Sequence, residues 1–172
     1  MKLLQRSLMI FSFFALVGTT AFAQRVGIVN TGEVLESIED YRNSQAELDR
    51  LADQWRQDIA KEHDKIKAEY NRYQAEQVLM SDEARRQKED EIIQMESRVR
   101  DMQKRRFGPE GDLFKKRQEM VEPIQDRVYK AIEEYADARG YDIILDKSSN
   151  AGLIFSNDKY DITSDILREI GN

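Results

Sequence analysis

The sequence has no cysteine, and its 172 residues include only two prolines, eight glycines, one tryptophan and one histidine. The missing cysteine excludes disulfides, thiolate metal sites and a sulfur nucleophile, so stability must come from packing or association. The single histidine, His63, sits in the charged run Glu62-His63-Asp64-Lys65. With no second histidine or cysteine to join it, it reads as a solvated helix position, and no metal or cofactor is expected. The glycines follow neither GxGxxG nor P-loop spacing, and nothing resembles a nucleophile elbow. Carboxylate runs such as Glu133-Glu134 and Glu89-Asp90-Glu91 read as surface charge on helices. No catalytic residue is nominated, and the chain is not expected to be an enzyme.

Long apolar runs are scarce too. One exists, Ser7 to Gly18, behind Lys2 and Arg6 and ahead of Ala21-Phe22-Ala23. That layout is a secretory signal (residues 1–23) cleaved after Ala23, and the run is short for a membrane span. The expected location is the periplasm, with a mature chain starting at Gln24. Removing Lys2 and Arg6 leaves 25 basic against 33 acidic residues, a mature charge of −8. With 35% charged residues and a mean hydropathy of −0.71, the composition suits an extended, helix-rich protein. Nucleic-acid binding is not expected of an exported acidic chain. Its basic clusters, Arg85-Arg86, Lys104-Arg105-Arg106 and Lys115-Lys116-Arg117, read mainly as salt-bridge partners, the last also as a local anionic contact.

Present instead is helical periodicity. Arg25 to Asn30 reads as a strand and Thr31 to Ile38 as a brief helix, and a long helix starts near Tyr41. A heptad stripe runs Ala52, Trp55, Ile59, Glu62, Ile66, Glu69, Tyr73, and a second runs Ile92, Met95, Val99, Met102, Arg106. The break at Met80, with Ser81 as N-cap and Asp82-Glu83 behind it, predicts an antiparallel hairpin. Residues 42–106 hold 15 acidic and 15 basic side chains, so this arm is neutral. Phe107-Gly108-Pro109-Glu110-Gly111 should interrupt the return helix, Pro123 should bend it, and Arg139-Gly140 should end it. Tyr141 to Asp146 and Leu153 to Ser156 read as strands around a turn, and Asp161 as the cap of a last helix carrying Ile162, Ile166 and Ile170. The expected fold class is α+β and mostly helical. It is a long antiparallel coiled-coil hairpin (41–120) on a small strand body (24–40 and 121–172). Three short strands bury too little in one chain, so association through the sheet is expected.

Val26-Gly27-Ile28-Val29-Asn30, Tyr141-Asp142-Ile143-Ile144-Leu145-Asp146 and Tyr160-Asp161-Ile162-Thr163-Ser164-Asp165-Ile166-Leu167 resemble the Skp/OmpH family of periplasmic chaperones. The resemblance implies a homotrimer with a barrel-like core and three arms projecting like tentacles around a cavity. It also implies that unfolded outer-membrane proteins are held there without ATP. The best-known relatives are basic, whereas this chain has a pI near 5.0 and neutral arms. Lipopolysaccharide or phospholipid contact is therefore not carried over, and capture should lean on apolar contacts.

Alternation on the strands nominates Val26, Ile28, Ile143, Leu145, Leu153 and Phe155 for trimerisation. Trp55, Tyr73, Met95 and Met102 are client-contact candidates that compete with seam filling, while Tyr70 and Met80 sit off the stripes. Gly108, Pro109 and Gly111 are candidates for a hinge, with a static kink as the alternative. The rival function is a structural coiled-coil spacer or adhesion protein of the cell envelope.

Overall fold

The computed structural model describes residues 24–149 and 152–171; the expected signal lies outside them. Strand β1 (Val26–Val29) leads into α1 (Thr31–Ser37) and then α2 (Glu39–Glu76). A 3-10 turn at Gln77–Leu79 reverses the chain into α3 (Asp82–Phe107), and α4 (Asp112–Arg139) continues the return. Strand β2 (Ile143–Asp146) and α5 (Thr163–Ile170) complete the chain. Among the described residues, no helix is long and apolar enough to cross a membrane.

The 38 residues of α2 reach about 57 Å at 1.5 Å per residue. The helix is held against its partner by the anticipated stripe. Ala52, Ile66 and Tyr73 are buried, and Trp55, Ile59, Glu62 and Glu69 half-buried. Ile92 and Val99 answer from α3, and Ile59, Met80 and Met95 pack against this cluster. Ser81 caps α3, its hydroxyl accepting the Ala84 amide at 3.2 Å. Most remaining charges pair along one helix, Glu47–Arg50 (2.7 Å) and Asp53–Arg56 (2.6 Å) among them. Such exposed pairs contribute little stability.

The body forms a separate core. Val29, Val34, Leu35 and Ile38 meet Ile124, Val128, Ile132 and Tyr135 of α4, with Ile162 and Ile166 closing the stack. Helix α4 runs unbroken through Pro123, so the expected bend does not divide it. It ends as anticipated at Gly140, whose φ of 67° is the left-handed cap conformation. The body–arm boundary expected between 120 and 121 falls inside this helix.

Strands β1 and β2 are parallel, with Ile28 opposite Leu145. On the far side of β1, Ile28 bridges Asp161, and the Ile162 amide donates to the Ile28 carbonyl at 2.8 Å. The expected third strand does not form: Leu153–Ser156 has no regular structure. A strand is stable only beside a partner, and β1 is occupied on both edges while this segment pairs with neither. Asp161 accepts the Thr163 amide at 2.9 Å, although the N-cap position of the helix it was expected to cap falls on Ile162.

Candidate functional site

Two regions expose apolar side chains that this chain does not cover, the arm and one face of the sheet. At the end of the arm the 3-10 turn holds Val78 and Leu79 outward, 87% and 91% exposed. Tyr70 and Ile93 are also exposed along it. Val78 and Leu79 were not nominated from the sequence. Their signal is an apolar pair between two stripes, which periodicity treats only as the stripe's end. Met80, placed off the stripes, does not stand free, because the turn tucks it against the arm cluster.

Trp55, Met95 and Met102 are half-buried and Tyr73 buried, all within the seam. The Tyr73 hydroxyl donates to the Glu89 carboxylate across the hairpin, and this bond raises the phenol's pKa above its ordinary value. Glu69 and Lys88 also join the two helices, at 2.9 Å. The lysine's hydrogen bond holds the Glu69 carboxyl below its usual range.

Gly108, Pro109 and Gly111 form a tight elbow between α3 and α4. The Gly108 amide donates to the Lys104 carbonyl at 2.8 Å, and the Gly111 amide to the Gly108 carbonyl at 2.9 Å. A Cβ on Gly108 would overlap the Lys104 carbonyl oxygen, and one on Gly111 would lie 2.7 Å from that of Arg105. Arg106 spans the elbow, bridging Asp112 at 2.7 Å and lying 4.5 Å from the Trp55 ring centroid. Trp55 meets Phe107 edge-on at 6.2 Å.

On the body, Ile143 and Leu145 are exposed and Val26 half-buried, whereas Ile28 is buried within the chain at 4% exposure. Leu153 is half-buried and Phe155 is 81% exposed beside the open segment. Behind the sheet, Asp146 ties β2 to α1. Its carboxylate accepts the Thr31 hydroxyl at 2.7 Å and the Ser148 amide at 2.9 Å. Asp161 accepts Lys147 at 2.5 Å. Among the described residues, no three His, Cys, Asp or Glu side chains gather as a metal cage.

The family model for OmpH-like outer membrane protein matches residues 25–170. The chain belongs to the OmpH-like family. That match takes in β1, the whole arm, β2 and α5, every element just described. Family membership supports the non-enzymatic reading. A solved structure from Caulobacter crescentus CB15, described as an OmpH-like outer membrane chaperone, is similar at a TM-score of 0.65 and 14% identity. The similarity covers 85% of this chain and 83% of that one, and at such identity it shows the shared fold. No curated protein matches the sequence.

Proposed function

We propose that this OmpH-like protein is a periplasmic, ATP-independent holdase that keeps unfolded outer-membrane proteins from aggregating. The observation that carries the reading is an arm of about 57 Å with exposed Tyr70, Val78, Leu79 and Ile93. A hairpin of this length buries only a narrow seam, and the apolar groups left outside it offer adaptable contacts to unfolded chains. We further propose a homotrimer joined through Val26, Ile143, Leu145, Leu153 and Phe155, with Ile28 supporting the sheet from within. Its three arms would enclose the client. Among the described residues the outer edge of β2 is unpaired and Ile143 and Leu145 are exposed, which supports this arrangement. The spacer reading is less well supported, because the hairpin and the β1–β2 pairing return both ends of the chain to one body.

The test is dilution of a urea-unfolded outer-membrane barrel protein into buffer with and without this protein. Light scattering should fall to background near one trimer per client. Unchanged aggregation at a several-fold excess would refute the holdase reading.

A further inference from the structure

The elbow interrupts only one side of the arm. Opposite Gly108 and Gly111, α2 runs unbroken for 38 residues and contains neither glycine nor proline. It packs on α4 below the elbow and on α3 above it. Below, Asp40 pairs with Arg127 of α4 at 3.8 Å, and Tyr41 and Gln45 share a groove with Phe114 and Val121. Above, Ile66 and Tyr73 meet Ile92 and Val99 of α3, and Glu69 pairs with Lys88 at 2.9 Å. Swinging α3 on α4 would therefore bend an intact helix or strip one of these sets of contacts. Helices kink readily at proline or glycine, and α2 has neither.

Arg106 joins all three helices at this level. Its guanidinium lies 4.5 Å from the ring centroid of Trp55 on α2, within cation–π range, and bridges Asp112 in the first turn of α4 at 2.7 Å. A guanidinium can stack by its face while it pairs by its edge, because the group is planar and its donors lie in that plane. The next residue crosses to α2 as well. Phe107 meets Trp55 edge-on at 6.2 Å, and Arg56 lies 5.9 Å from the Phe107 ring centroid.

We propose that the elbow is a fixed joint splinted by α2, and that Arg106 is the positioning residue that sets its angle. Gly108, Pro109 and Gly111 then shape a permanent bend and are not a swivel. The inference goes beyond the holdase reading and does not depend on it. If the arm holds clients, adjustment to their size falls to its outer part and not to a swing at the glycines.

Because the chain has no cysteine, Asp90→Cys on α3 and Glu133→Cys on α4, both exposed positions, place two spin labels across the elbow. The full mature protein is labelled and co-refolded with an excess of unlabelled chain, so that an assembly carries at most one labelled pair. Double electron–electron resonance reads the distance distribution, and circular dichroism checks helix content. Arg106→Gln should widen the distribution about twofold and shift the emission of Trp55, the only tryptophan, to longer wavelength. Asp112→Asn leaves the stacking in place and should widen it less. Lys115→Gln, also in the first turn of α4, should leave the native width. A native distribution as wide as that of Arg106→Gln overturns the proposal. So does equal widening by Lys115→Gln, which would mark a general loosening and no special role for Arg106. Should Arg106→Gln lose helix content, Asp112→Asn set against Lys115→Gln decides by the same criterion. The distances are read without client, so failure to hold a barrel protein would leave this result standing.

Discussion

Asp146 shows how one side chain holds the body together. Partial burial pushes its carboxyl pKa up, but hydrogen bonds from Thr31 and Ser148 outweigh this and leave it below the ordinary aspartate value. Asp161 behaves alike: burial raises it, and Lys147 and Thr163 more than reverse the shift. A carboxyl depressed in the folded state takes up its proton later than its unfolded counterpart as pH falls. Its stabilising effect is therefore complete above about pH 4 and disappears as pH drops through the folded value. The urea midpoint should decline below that pH, and Asp146→Asn should lower it at neutral pH while flattening the decline. Gly108 is constrained differently, by lack of room. Gly108→Ala should cost about 1–3 kcal/mol, because the new methyl meets the Lys104 carbonyl. Denaturant unfolding would measure it, with Glu110→Ala on the same exposed turn as a near-neutral control.

At the scale of elements, the outer part of the arm is held by a cluster of four buried residues, Ile66, Tyr73, Ile92 and Val99, separate from the body core. Removing one should loosen the arm and spare the body. Ile92→Ala should cost about 2–5 kcal/mol locally. It should be seen as faster amide exchange in residues 59–99 with exchange in β1 and β2 unchanged. Uniform acceleration across the chain would mean that arm and body unfold as one unit. This seam was legible in the sequence because helical period is a local property, visible from Ala52 to Tyr73 without knowledge of the partner. The elbow was legible for a similar reason, since Gly-Pro disturbs the backbone wherever it stands. Strand pairing is not local, and there the sequence misled. Leu153 to Phe155 is apolar enough for a strand, but β1 is occupied on both sides and this segment does not take up the outer edge of β2. The reversal of the chain ahead of Ser81 was legible too, but the direction in which its side chains point was not. Its rotation, not its composition, sends Val78 and Leu79 outward and Met80 inward.

For the whole molecule, the question is what covers the open sheet face. Ile28, on the same strand pair, is a poor place to probe it. Its side chain is already buried in one protomer, so Ile28→Asp would damage the fold itself. Leu145 is 43% exposed in the single chain and is the cleaner choice. Leu145→Asp should leave the helical circular dichroism intact and convert a trimer to a monomer by light scattering. A variant that keeps the native mass would remove this face from the interface. The charge layout belongs to this scale too, since a neutral arm with a basic elbow rises from a body that holds the acidic surplus. Raising salt should therefore weaken contacts near the elbow more than those near the tip.

The register of the sheet also governs the order in which the molecule can be made. Ile28 finds Leu145 only across more than a hundred residues, so a chain made from its N-terminus presents β1 long before β2 arrives. Closing so wide a loop from random coil is entropically costly, and a preformed helical hairpin shortens the gap by bringing its two feet together. The arm is then a folding guide as well as a reach. A substitution near its tip, touching no residue of the body, would delay the moment when the body's strands meet.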